Sequence, residues 1–191
     1  MQNRKGLSQI AEIITGYTFR APIREGVENG LSVLQAKNIK DDVLNDESEF
    51  VKASLDTSHT RAFAQDGDVV IGARGIFKAC VVRSKSKILA ASSVYLLRIK
   101  NENLVFPEYL SIYLNSVTGQ RNLSQFLTAG TIRSLLKKDL EIINIPVPSV
   151  EKQKQIIELA RSVRLQAQLL NRKLAIQKNI VNSILNQLER S

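Results

Sequence analysis

Ile145-Pro146-Val147-Pro148-Ser149 closes one kind of sequence and opens another. From Val150 to Ser191 the chain contains no Pro and no Gly. From Ile156 the apolar residues step by four and then three: Ile156, Ala160, Val163, Ala167, Leu170, Leu174, polar Gln177, Val181, Ile184 and Leu188. Steps that average about 3.5 residues lay side chains along one narrow seam of a helix, as in a coiled coil. Roughly 40 helical residues rise about 60 Å. A small domain cannot cover a rod of that length, so the seam predicts another helix as its partner. Gln177, its one polar member, is the residue expected to set register. Leu159, Leu165, Leu169, Ile176 and Ile180 lie off the seam and are too many for a two-helix contact. Ser149 suits an N-cap and Glu151 a first helical turn. Lys152 stands where a capping box needs Glu or Gln. The domain boundary therefore falls at Pro146–Pro148, giving a body over 1–148 and a long helix over 149–191.

Working back from that boundary, the body reads as a mixture of short elements. Leu7 to Ile14 reads as a short helix or an opening strand that ends at Gly16, and a loop with Tyr17, Phe19 and Arg20 follows. Leu31–Ala36 alternates like a strand and leads into Lys37-Asn38-Ile39-Lys40. Asp66-Gly67-Asp68 turns into Val69–Gly75, and Ile76–Arg83 returns, a hairpin with Arg74-Gly75 near the bend. Leu89–Ile99 is the next strand region. Pro107–Ser116 has the Pro start of a helix, with a second short helix over Gln120–Phe126. Thr128–Arg133 is a polar loop, and Lys137–Leu140 leads into a strand over Glu141–Ile145. The expected fold class is α+β: a mixed domain of β-hairpins and short helices, then one long C-terminal coiled-coil helix.

The 191 residues carry 27 Lys and Arg against 18 Asp and Glu, a formal charge of +9 and a pI of about 9.8. Such an excess suits a polyanion, with nucleic acid first. The charge is uneven. Residues 41–56 carry five net negative charges, read as a solvated loop, and residues 61–100 carry six net positive ones. One Cys, Cys80, and one His, His59, exclude an internal disulfide and a Cys/His zinc site. Cys80 reads as a small core residue and His59 as an exposed loop residue. No P-loop, dinucleotide loop or nucleophile elbow is present. No catalytic residue, metal ligand or cofactor is expected. The N-terminus does not read as a signal peptide and no apolar run reaches membrane-spanning length, so a cytoplasmic protein is expected.

Leu7–Glu12 with Gly16-Tyr17-Thr18-Phe19, Leu34–Ile39, Gly67–Gly75, Pro107–Leu110 with Leu114-Asn115-Ser116, Gly130–Leu140, and Ile145–Pro148 with Glu151-Lys152-Gln153 occur in one order. In that order they resemble the DNA specificity (S) subunit of type I restriction-modification systems, and one half of such a subunit. The family pairs a target-recognition domain with a long helix and repeats the unit. The resemblance implies a DNA-binding adaptor without catalysis of its own. Its partners would be double-stranded DNA, a methyltransferase (M) subunit and, through the complex, the restriction (R) subunit. With one recognition domain, a homodimer with antiparallel helices is the economical expectation, reading a split palindrome across a rod of about fifteen base pairs. Arg74 at the hairpin bend would meet guanine or phosphate. Tyr17, Arg20, Lys37, Asn38, Lys78 and Arg133 are the other candidates for DNA contact, though Tyr17 and Phe19 serve equally as core. A second reading is a coiled-coil protein that binds restriction-modification subunits without reading DNA. It expects changes at Arg74, Lys78 and Arg133 to be silent.

Overall fold

The computed structural model describes residues 3–19, 30–40, 43–44, 50–53, 60–128 and 133–188. His59, Arg20 and the acidic residues Asp41, Asp42, Asp46, Glu47, Glu49 and Asp56 lie outside them. In chain order the elements are β1 (Arg4–Gly6), α1 (Leu7–Ile10), β2 (Ala11–Thr15), β3 (Leu31–Leu34), a 3-10 turn (Ala36–Asn38), β4 (Val43–Leu44), β5 (Val51–Ala53) and β6 (Phe63–Ala64). Then follow β7 (Val69–Gly72), β8 (Ala79–Val82), β9 (Ile88–Ala90), β10 (Val94–Ile99), α2 (Pro107–Asn115), α3 (Val117–Ser124), α4 (Lys137–Ile142), β11 (Asn144–Pro146) and α5 (Val150–Leu188). This is an α+β chain, and it divides into two compact units, residues 1–153 and 154–191.

The first unit is built on a sheet ordered β2-β10-β7-β8-β4. Its middle strands are apolar on both faces: Val69, Val70, Ile71, Ala79, Cys80, Val81, Val82, Leu96 and Leu97 are all buried. One face packs with a second sheet, ordered β5-β3-β9-β6, through Leu34, Val70, Cys80, Ile88, Val94 and Leu96. Helix α2 packs on β7 and β8. Asn115 accepts from the Ala79 amide at 2.9 Å and donates to the Ala79 carbonyl at 2.7 Å, so the helix satisfies the first residue of β8. The chain start pairs with the body's exit: β1 and β11 run antiparallel, with Lys5 opposite Ile145. Tyr109 of α2 donates to the Pro146 carbonyl at 2.7 Å, and burial pushes its hydroxyl up to about 12.

Four readings change. Leu7–Ile14 is both elements in succession, α1 and then β2, because Leu7 and Ile10 bury a helical face before the backbone extends at Ala11. Leu89–Ile99 is two strands in different sheets, divided by the turn at Ala91–Ser93. The second short helix starts earlier, at Val117, where the Ser116 hydroxyl accepts from the Gly119 amide at 3.1 Å. Finally, Glu141 and Ile142 are helical, and the strand covers only Asn144–Pro146. Buried Leu140 draws that segment against α1, and tertiary packing overrides the β-branched pair Ile142-Ile143.

Asp68, read only as a turn residue, is 2% exposed. Its carboxylate takes Arg98 Nε at 3.0 Å and Nη2 at 2.8 Å, as well as the Gln65 amide at 2.8 Å. A buried carboxylate satisfied on both oxygens ties β7's entry to β10. Gln153 is similar. It is fully buried, accepts from the Phe106 amide at 3.1 Å, and donates to the carbonyls of Leu104 at 2.9 Å and Pro148 at 3.0 Å. The first turn of α5 is thereby fastened within the first unit. The Ser149 hydroxyl caps it, accepting from the Lys152 amide at 3.3 Å.

The second unit is the remainder of α5. All of α5 covers about 58 Å at 1.5 Å per residue. From Leu159 onward its large apolar side chains stand open: Val163 is 57% exposed, Leu170 59% and Leu188 67%. Among the described residues, no helix is long and apolar enough to cross a membrane.

Candidate nucleic-acid interface

β7 and β8 pair antiparallel with Val70 opposite Cys80 and Ile71 opposite Ala79. The Gly72 amide then donates to the Lys78 carbonyl at 3.0 Å and closes the hairpin, leaving Ala73–Phe77 as its tip. Gly72 must be glycine: a Cβ there would meet the Ile76 carbonyl oxygen at 1.7 Å. Gly75 sits at φ +71°, the left-handed region that glycine enters at little cost. The tip is therefore a tight, sequence-determined turn, and it presents Arg74 and Lys78 to solvent.

A second segment runs beside this tip. The Gly75 amide donates to the Arg133 carbonyl at 3.1 Å, and the Leu135 amide donates to the Ala73 carbonyl at 2.9 Å. Arg74 and Ser134 face each other across this short antiparallel bridge. Arg133, exposed, is thus one residue from the position opposite Arg74, although 59 positions separate the two in sequence. Buried Tyr95 braces the junction by donating to the Leu135 carbonyl at 2.9 Å. Burial raises its pKa, while the positive charge of Arg74 pulls it the other way.

Two more segments end at the same place. Ser93 accepts the Ala73 amide on its carbonyl at 2.7 Å and the Ala36 amide on its hydroxyl at 3.2 Å. The 3-10 turn carrying Lys37 and Asn38 is thereby tied to the hairpin tip. The Ser92 amide donates to the Tyr17 carbonyl at 2.8 Å, and the Tyr17 amide to the Ala90 carbonyl at 2.7 Å. Tyr17, Lys37, Arg74 and Arg133 therefore sit on four segments gathered around Ser92, Ser93 and Tyr95. Lys78 stands at the far shoulder of the hairpin. Lys37 is exposed, whereas Asn38 is buried, with its amide oxygen accepting from the Gln35 amide at 2.9 Å. Tyr17 is half-buried and meets Phe19 edge-on at 5.1 Å; Phe19 packs on Val33, Ala53 and Ala91.

Sequence reasoning passed over Ser93, Ser134, Lys137 and Lys138. The Lys pair was visible, but it was read as the lead into a strand. In α4 both lysines are exposed in the first turn, two and three residues past Leu135, with Lys137 3.9 Å from Glu141. No local signal marks Ser93, whose importance comes from two amides far apart in sequence. Chemically, the cluster offers guanidinium and ammonium donors on braced loops, a combination suited to phosphate oxygens and to the acceptor edge of guanine. Among the described residues, no group of three or more His, Cys, Asp or Glu side chains is placed to hold a metal.

Residues 3–186 match the family model of the type I restriction modification DNA specificity domain. The chain belongs to this family. Specificity subunits share its fold. The HsdS subunit from Thermoanaerobacter tengcongensis superimposes with a TM-score of 0.65 at 22% identity, over 89% of this chain and 39% of that one. A chain from a structure on complex assembly and conformational transition of the type I R-M system gives 0.66 at 21% identity, over 91% and 40%. The type I S subunit from M. genitalium gives 0.57 at 12% identity, over 83% and 38%. This specificity-domain chain thus spans about two-fifths of the length of those structures. No curated protein matches it.

The seam residues named from the sequence all lie on α5. Ile156 and Ala160 are half-buried, and Val163, Ala167, Leu170, Leu174, Gln177, Val181, Ile184 and Leu188 are exposed.

Proposed function

We propose that this specificity-domain chain is a non-catalytic, sequence-specific DNA-binding subunit that directs a methyltransferase, and through it a nuclease, to a bipartite site. The observation that supports this reading is the backbone bridge that sets the Arg133–Leu135 segment beside the Arg74 hairpin tip, with the segments of Lys37 and Tyr17 tied to the same place through Ser93 and Ser92. Braced cations lose little freedom on binding, so they can discriminate base edges as well as hold phosphates. Arg20 and Lys78 belong to the same proposed contact set, while buried Asn38 shapes the 3-10 turn that carries Lys37.

In this reading residues 1–148 are the recognition domain and 149–191 a spacer helix. The helix pairs antiparallel with that of a second copy through Ile156, Ala160, Val163, Ala167, Leu170, Leu174, Gln177, Val181, Ile184 and Leu188. Its open apolar side chains support this, because exposed leucines in a row signal a missing partner surface. Two identical readers related by a twofold axis recognise a palindrome split by a spacer. The cell compartment is the cytoplasm, where the DNA and the methyltransferase are.

The test is selection from a random duplex pool by the chain with its methyltransferase, alongside measurement of mass in solution. The expected result is a split palindrome and a dimeric mass. Enrichment of no motif sinks the DNA reading. That outcome with retained methyltransferase binding favours the second reading, a coiled-coil protein that binds restriction-modification subunits without reading DNA. A monomer at micromolar concentration sinks the dimer.

A further inference from the structure

Between Arg161 and Lys178 the long helix carries five cations and no carboxylate: Arg161, Arg164, Arg172, Lys173 and Lys178. Arg161 is paired with Glu158 at 3.0 Å, an exposed contact that neutralises little. Arg172, Lys173 and Lys178 are exposed, and Arg164 is half-buried.

Their positions around the helix are not random. With the seam at heptad positions a and d, Arg161 falls at b, Arg164 and Lys178 at e, and Arg172 at f. These three positions adjoin one another on one side of the seam. Leu159 and Ile180 fall at g, and Leu169 and Ile176 at c, on the other side. All four are more than half exposed. Lys173, at g, is the one cation of this stretch on the apolar side.

Helix direction decides how these flanks combine. In a parallel pair g faces e of the other helix, which sets Leu159 and Ile180 against cations. In an antiparallel pair e faces e and g faces g, so Arg161, Arg164, Arg172 and Lys178 collect along one side of the rod, together with Leu165 at f and Leu185 at e, and Leu159, Leu169, Ile176 and Ile180 collect along the other. The register with most overlap pairs 156 with 188, 160 with 184, 163 with 181, 167 with 177 and 170 with 174. Every seam residue then has a partner, and the two alanines meet the larger Ile184 and Gln177. On the e flank of that register Lys178 of one copy stands beside Arg164 of the other, twice. Like charges side by side disfavour the pairing unless an anion lies between them.

We infer that this cationic side is a phosphate-binding track that neutralises the backbone of duplex DNA between the two half-sites. The inference rests on the DNA-reading dimer proposed above. The stretch from Arg164 to Lys178 covers about 21 Å of helix, and duplex DNA offers roughly one charge per 1.7 Å. Such a contact adds affinity without reading sequence.

The test uses the full chain with Arg172→Gln and Lys178→Gln, which keep helix propensity and leave the seam untouched. Affinity for a random-sequence duplex of about 40 base pairs is followed from about 50 to 200 mM salt. Four charges leave each dimer, so the slope of log affinity on log salt becomes shallower by up to about 3.6, with the selected sequence motif and the dimeric mass unchanged. Arg172→Lys with Lys178→Arg keeps the slope, and Lys173→Gln, on the other flank, keeps it too. An unchanged slope in the double Gln variant overturns the track. So does an equal loss per charge from Lys173→Gln, or loss of binding in the charge-preserving variant, which would indicate a structural role. Unaltered DNA binding with lost binding to polyglutamate would assign the surface to an acidic protein and overturn the inference. If the native chain selects no motif and binds no duplex, the DNA reading itself falls, a result separate from all of these.

Discussion

Leu96 in β10 and Leu170 in α5 are the same side chain in opposite circumstances: one is 0% exposed and the other 59%. Around Leu96 every neighbour comes from the same chain, out of two sheets and their turns. Leu170 stands open on the long helix. Stability therefore has two sources in this chain. The first unit is held by burial and by internal polar ties such as Asp68–Arg98 and Gln153. A lone helix of this kind gains little from burial, and helix propensity alone is a weak support.

Substitutions that strike one unit and spare the other test this separation. The largest effect is expected from Asp68→Ala, which strands Arg98 beside β7 and leaves the Gln65 amide unmet. Breaking a buried pair costs about 3–5 kcal/mol; because Arg98 keeps some access to water, the lower end is expected, read as a fall in the urea midpoint with solution mass unchanged. Gln153→Ala comes next. It leaves the Phe106 amide and two carbonyls without their partner, at a cost of about 2–3 kcal/mol. The cost should show in the unfolding of the first unit even though the residue lies on the long helix; no change in that transition would mean that the first turn of α5 is not part of the unit.

The reverse case is Leu170→Ala with Leu174→Ala. Self-association should weaken by more than tenfold in sedimentation, from the loss of about 2 kcal/mol or more of apolar burial, while the first unit melts as before. A smaller and pH-dependent effect is expected from Tyr109→Phe. The native hydroxyl is held neutral up to about 12, above the ordinary value near 10. Its contribution is fully present below pH 10 and is lost as pH rises toward 12, so the native protein should lose stability over that window and the Phe variant should lose less. The smallest effect on stability, within about 0.5 kcal/mol, is expected from Arg74→Gln with Arg133→Gln, which should nonetheless abolish motif selection from a DNA pool. If motif selection survives, the hairpin-tip cluster is not the reader.

Several features were legible in the sequence for local reasons. The Asp66-Gly67-Asp68 turn and the β7–β8 hairpin announce themselves through glycine and a run of β-branched residues. Pro107 marks the start of α2, and the step of four and three marks α5. Arg74 could be named a candidate because a hairpin bend is exposed whatever surrounds it. The proximity of Arg133 to Arg74 could not be read, since it depends on two backbone hydrogen bonds between segments about sixty residues apart. The same holds for Ser93, whose two bonds join the 3-10 turn to the hairpin.

The division between sequence and structure follows from range. Periodicity, turn chemistry and net charge are properties of neighbours in the chain, and by themselves they determined a basic α+β chain and a long helix with an apolar seam. Tertiary packing decided what no neighbour could: that Ile142 joins a helix, that Leu89 and Leu97 enter different sheets, that Asp68 and Gln153 are buried anchors, and that the segments carrying Lys37, Arg74 and Arg133 are tied together by hydrogen bonds. In each case the deciding energy is burial or hydrogen bonding supplied by a distant segment, a term that the local sequence does not contain.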